Sequence, residues 1–93
     1  MKITFDPVKR AATLQLRSLD FADASLVFAG LTMDVADSRQ DYGEPRVQTI
    51  GYLAGRMVMV VWTPRGDARR IMSMRYCNDR ERKIYGPYLQ IPQ

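Results

Sequence analysis

The sequence predicts a single α+β domain, a mainly antiparallel sheet with helices packed on one face, in the order β-α-α-β-β-β-β-α. Three observations lead there. Apolar residues recur at helical spacing before residue 30 and cease to do so from residue 31, where strand-like alternation and apolar runs take over. Connections between the later strands span only two to nine residues, which suits an antiparallel meander. A chain of 93 residues buries a little over ~60% of its unfolded surface, enough for one core and not for two.

"KITF" (2–5) reads as a first strand. Asp6 then caps a helix, and Pro7 fits its first position because that N–H is unsatisfied in any case. The helix runs to about Arg17, with Val8, Ala11, Ala12 and Leu16 expected toward the core. Lys9, Thr13 and Arg17 share another stripe at i, i+4, i+8. Asp20 opens a second helix with Phe21, Ala24, Ser25 and Phe28 on one face, and Gly30 is expected to supply a left-handed stop. "LTMDVA" (31–36) and "RVQTIGYL" (46–53) read as strands flanking the polar loop "DSRQDYGEP". "AG" (54–55) turns the chain into "RMVMVVWT", which is apolar on both faces and therefore expected at the centre of the sheet. "PRGD" turns it again into a last strand, "ARRIMSMRY". Asn78 caps a final helix over 79–85, "GP" ends it, and the tail "YLQIPQ" is expected to pack loosely.

Charge is unevenly placed. The stretch "RGDARRIMSMRYCNDRERKIY" (65–85) carries seven basic and three acidic residues, and its excess of four equals the net charge of the whole chain. Concentrated like charge repels unless an anionic partner offsets it, and nucleic acid, acidic protein and membrane surface all qualify. The single cysteine, Cys77, rules out an internal disulfide and suits a reducing compartment. "MKITFDP" has no apolar signal region, and the longest apolar run, "MVMVVW", is far below the ~18 residues of a membrane span. A cytoplasmic location is expected.

Several motifs have plain structural readings. "RGD" (65–67) sits where a hairpin turn wants Gly and Asp. Asp34, Asp37 and Asp41 lack the Gly and closing Glu of a calcium loop, and no histidine exists to support a transition metal, so no metal is expected. Cys77 has no histidine partner for nucleophilic catalysis. The methionines read as core filler. In the last strand, alternation puts Arg69, Ile71, Ser73 and Arg75 on one side, with Arg70, Met72 and Met74 on the other, the expected core side. On the final helix Cys77, Glu81 and Tyr85 form a stripe, and Asp79 and Lys83 a surface pair.

"GEPRVQTIG…GRMVMVVWTPRGDARRIMSMRYCNDRERKIY", with "FDPVK" and "LDFADASLVF" before it, resembles the BrnT family of bacterial type II toxin–antitoxin systems over residues 5–85. The spacing "RGD..RI.S.R" followed by "E...Y" is the most specific part, with "GE.R..IG" next. The resemblance implies a RelE-like fold and a ribonuclease that blocks translation. It also implies a BrnA-like ribbon-helix-helix antitoxin whose complex with the toxin binds operator DNA. Carried over by position, it points to Lys9, Glu44, Arg46, Arg70, Arg75, Glu81 and Tyr85. Members commonly read "KHG" where this chain reads "LRS", so the usual histidine is Arg17, which binds phosphate but does not exchange a proton near neutrality.

On this reading the chain is a metal-independent endoribonuclease that needs no cofactor and acts on mRNA. Arg75, with Arg69 or Arg70, would hold the scissile phosphate; Lys9 and Arg17 would hold the phosphate or stabilise the leaving oxygen. Glu81 is the general-base candidate, with Glu44 second, and Glu81 equally suits a structural role pinning Arg80 or Arg75 by an ion pair. Arg46, Arg65, Arg69, Arg80 and Tyr85, with Tyr76 as a further stacking residue, would contact the RNA. The same residues also suit a catalytically silent homologue that binds antitoxin and co-represses its operon, or a free-standing RNA-binding module.

Overall fold

A computed structural model describes residues 1–90. Five strands, β1 (Lys2–Phe5), β2 (Met33–Ala36), β3 (Val47–Leu53), β4 (Arg56–Arg65) and β5 (Ala68–Tyr76), form one sheet in the order β1-β5-β4-β3-β2. The helices are α1 (Pro7–Arg17), α2 (Ala24–Ala29) and α3 (Asp79–Tyr85), with 3-10 turns at Phe21–Asp23 and Gly86–Leu89. The α+β class and element order agree with the sequence reading. β2 to β5 form the antiparallel meander, and only β1 runs parallel, against β5.

β4 lies at the centre, and Met57 to Thr63 are all buried, as an unbroken apolar run requires. Its side chains feed two cores. Val58, Val60 and Trp62 meet Leu19, Phe21, Ala24 and Val27 on one face. Met57, Met59 and Val61 meet Ile50, Cys77 and Leu89 on the other. The helices therefore cover both faces: the residue 19–29 segment packs on the first and the α3 region on the second, which corrects the single-face expectation. Leu89 is buried, so the segment after "GP" packs into the second core through its 3-10 turn. α3 ends at Tyr85 with Gly86 as its C-cap, as expected, and the chain continues as the 3-10 turn; the remainder of the tail, 91–93, lies outside the described residues.

Two local expectations are also overturned. Gly30 has an extended backbone (φ −97°, ψ −165°), while the left-handed residue is Ser18 (φ 57°), which ends α1 by donating its N–H to the Leu14 carbonyl. Ser25 is exposed, and Phe21, Ala24 and Val27 make the buried face. Gly51 explains why α2 seats so closely: a Cβ there would lie 2.9 Å from Val27 Cγ1 and 3.1 Å from Thr32 Cγ2.

α1 departs furthest from its pattern. It has no buried residue, and Val8 and Leu16 are 76% and 81% exposed. The inward side is polar. Arg10 donates to both oxygens of Asp20 (2.7 and 3.0 Å) and lies over the Phe5 ring, and Arg17 Nη1 donates to the Met74 carbonyl (3.0 Å). β1 pairs with β5 only as far as Ile71, so α1 covers the sheet edge beyond it. An edge offers backbone acceptors rather than apolar surface, and Arg17 answers it. No helix among the described residues is long and apolar enough to cross a membrane.

Candidate functional site

β5 and α3 each carry three basic residues of the cluster, and a bulge decides where the arginines of β5 point. Val61 pairs with Ser73 and Trp62 with Ile71, which leaves Met72 as an extra residue. Strict alternation therefore fails at Met72. Ile71, Met74 and Tyr76 pack on the α2 side, whereas Met72 packs against the opposite core, and Arg75 there donates to the Met59 sulfur (3.3 Å). Arg69 goes with Ile71, its guanidinium 4.0 Å from the Phe28 ring centroid and 5.0 Å from that of Trp62. Arg70 shares the Met72 face by alternation. The expected pairing of Arg69 with Arg75 on one face is thus corrected to Arg70 with Arg75, and Met72 and Met74 lie on opposite faces.

Arg75 is held from α3. Its Nη1 and Nη2 donate to Glu81 Oε1 and Oε2, each at 2.7 Å, and Nη1 also reaches the Tyr76 carbonyl at 3.3 Å. Asn78 accepts from the Glu81 N–H, and Glu81 Oε1 accepts from the Asn78 N–H, both at 2.9 Å. This capping box fixes the carboxylate before it meets the arginine. Hydrogen bonding by Arg75 holds the Glu81 carboxyl below the usual carboxylate range, against the opposing effect of its burial. The Arg75 side chain remains 34% exposed, so it is fixed and still open to an anion.

The long loop supplies a cation that sequence reasoning missed. Arg39 donates to both oxygens of the fully buried Asp37 carboxylate (2.8 Å each), and Tyr42 Oη donates to the same group at 3.3 Å. Arg39 lies close enough to Arg75 for its charge to oppose that guanidinium's own. The only sequence signal was the "DSR" spacing at the loop's start, which nothing distinguishes from ordinary loop polarity.

Lys9 and Arg17 enter from the sheet edge. With Ala12, Thr13, Leu16, Phe21, Met72 and Ser73 they line a groove of about 220 Å³ between α1 and β5. The other expected contacts are dispersed. Arg46 stacks on Tyr42 (3.8 Å), and Arg65 pairs with Glu44 (2.5 Å), a contact that lowers the Glu44 pKa. Arg80 is exposed on the first turn of α3, while Tyr85 packs against the second core.

The remaining candidates have structural partners. Asp34 accepts from Thr49 Oγ1 (2.6 Å), which accepts in turn from Trp62 Nε1 (2.7 Å); Asp41 accepts from the Gly43 N–H (2.8 Å). Asp79 pairs with Arg82 instead of Lys83. Cys77 is buried and its thiol is pushed up to about 11 by that burial, so little thiolate exists near neutrality. "RGD" lies at the β4–β5 hairpin, with Gly66 in the left-handed region (φ 58°).

Residues 5–81 match the family described as the ribonuclease toxin, BrnT, of type II toxin–antitoxin systems. No curated protein matches the chain.

Proposed function

Because the chain belongs to the BrnT family of type II ribonuclease toxins, we propose that it is a metal-independent endoribonuclease that cleaves mRNA and so inhibits translation. The observation that carries this is the bracing of Arg75: a two-point ion pair on a capped helix holds a side chain that is still 34% exposed, on the face that also bears Arg70 and within the electrostatic reach of Arg39. In-line cleavage builds charge on the phosphoryl oxygens, and donors already fixed in place stabilise it without reorganising.

In the proposed step the RNA 2′-oxygen attacks the adjacent phosphorus and the bond to the 5′-oxygen breaks, leaving a cyclic phosphate and a 5′-hydroxyl. Arg75 and Arg70 hold the nonbridging oxygens. Lys9, on the edge groove, donates a proton to the leaving 5′-oxygen, and Arg17 positions the strand. Glu81 has both oxygens occupied and a lowered pKa, so its first role is to position Arg75. It accepts the 2′-hydroxyl proton on Oε2, which takes a single hydrogen bond from Arg75, while the ion pair stays in place. Glu44 is tied to Arg65 and is the weaker candidate for that proton.

A toxin of a type II system has a cognate antitoxin, and a BrnA-like ribbon-helix-helix protein is the proposed one, the complex binding operator DNA. The exposed row Val8, Ala12 and Leu16, flanked by Lys9 and Arg17 on a helix without an acid, suits an acidic amphipathic segment of that partner. Expression without antitoxin tests the reading: wild type arrests growth and a folded Arg75→Ala protein does not. Equal toxicity of the two would remove Arg75 from the mechanism.

One observation favours a second reading, a silent homologue that acts through antitoxin binding alone. Arg17 stands where family members commonly have histidine, and its guanidinium is tied to the Met74 carbonyl. Cleavage gained only in Arg17→His would establish that reading.

A further inference from the structure

A second site lies just past Arg75, at the C-terminal end of β5, in a cavity of about 420 Å³ lined by Tyr52, Arg56, Tyr76, Cys77, Arg82 and Gly86 among others. That volume falls within the ~300–1,000 Å³ of small-ligand sites. No acidic residue lines it, and two arginines do. Tyr52 is 41% exposed, so its ring is a partly open aromatic wall of the cavity. The Tyr76 ring is already covered, since the Arg56 guanidinium sits 3.7 Å from its centroid. That stacking orients Arg56, whose side chain makes no hydrogen bond or ion pair among the described residues. Arg82 is fixed by donating to the Cys77 carbonyl (2.6 Å) and to Asp79. The remaining wall borders open space, since a Cβ at Gly55 or Gly86 would meet nothing within 4 Å.

A flat apolar ring beside two held guanidiniums matches an unpaired base joined to a phosphate, because every base has a stacking face and every nucleotide an anion. We infer that this cavity is a subsite for one unpaired ribonucleotide, the base stacked on Tyr52 and the phosphate between Arg56 and Arg82. Its place along the chain supports the assignment. Tyr76 and Cys77 directly follow Arg75, and Arg82 directly follows Glu81, so two of the segments that line the subsite also carry the Arg75–Glu81 pair. The inference rests on the RNA-cleaving reading for its biological ligand and deepens it: the nucleotide bound here flanks the one whose phosphate Arg75 contacts.

The test measures binding without cleavage. Backbone amide resonances are followed while each of the four nucleoside 5′-monophosphates, inorganic phosphate and a 2′-O-methyl RNA oligomer are added in turn. The expected result is that a monophosphate nucleotide moves the Gly55, Arg56, Cys77 and Gly86 amides, and that the oligomer, which cannot be cleaved, displaces it. Tyr52→Ala weakens binding roughly 5- to 150-fold, the range for loss of one base stack, while Tyr52→Phe retains it. Equal shifts from inorganic phosphate alone would show a bare anion site and overturn the inference. So would shifts that survive Tyr52→Ala unchanged, or no shift from any nucleotide. The two readings fail separately. Nucleotide shifts in a protein that never cleaves RNA would leave the subsite standing and remove the ribonuclease reading; cleavage without such shifts would do the reverse.

Discussion

Replacing Glu81 by glutamine keeps the side chain's size and removes its charge. In the native protein the two carboxylate oxygens accept three hydrogen bonds, from Arg75 Nη1 and Nη2 at 2.7 Å and from the Asn78 N–H at 2.9 Å. Glutamine offers one oxygen, and its NH₂ group faces a guanidinium that can only donate. A hydrogen bond to a charged group contributes about 1.5–3 kcal/mol. The Arg75 side chain is 34% exposed, and solvent screening brings the total to the lower part of that range, about 2 kcal/mol. For a domain of this length each kcal/mol moves the melting temperature by about 4–8 °C, so the variant melts about 8–16 °C lower at pH 7. The lowered Glu81 pKa fixes how this changes with pH. A carboxylate whose folded pKa is depressed contributes fully above its unfolded pKa, ~4.3, and loses that contribution as pH falls through the folded value. The gap between variant and wild type therefore closes in acid. Thermal unfolding followed by Trp62 fluorescence from pH 7 down to pH 3 measures both. A loss below about 0.5 kcal/mol at pH 7, the range of an ordinary surface change, or a gap that stays constant in acid, would refute the bracing of Arg75.

Three further outcomes follow from the packing. Gly51→Ala places a methyl 2.9 Å from the buried Val27 and costs about 1–3 kcal/mol in urea unfolding; an unchanged midpoint would show that α2 moves aside freely. Leu16→Glu alters a residue 81% exposed, so stability stays within about 0.5 kcal/mol while antitoxin binding weakens; a large drop in melting temperature would mean that α1 packs by its apolar side. Cys77→Ser buries a hydroxyl in an apolar site and costs about 1–3 kcal/mol, yet leaves the cleavage rate of the folded protein unchanged; loss of cleavage with retained fold would restore the thiol to the mechanism.

The strands and caps were legible because their causes are local. Asp6, Asp20 and Asn78 each accept a backbone N–H at a helix start, and the doubly apolar β4 could only lie centrally. What the sequence hid depends on distant partners. The apolar row of α1 predicted an inward face, but the short β1 leaves a sheet edge whose carbonyl is met by Arg17, and the row turns outward. The extra residue at Met72 has no local signature, since Ile, Met and Ser all suit a regular strand, yet it moves Arg75 away from Arg69. Arg39 comes near Arg75 only because the buried Asp37 anchors it there. Arg70, Arg75 and Glu81 were identified as candidates from the basic stretch and the family resemblance, while the bulge sets the face of each arginine and the capping box sets how Glu81 meets Arg75.

Cleavage of an end-labelled messenger by the antitoxin-free protein in EDTA, beside an identically purified Arg75→Ala protein, tests the central claim most directly. The account predicts that the wild type alone cuts, leaving cyclic phosphate ends. An intact messenger with a folded wild-type protein, or equal cutting by Arg75→Ala, would contradict it.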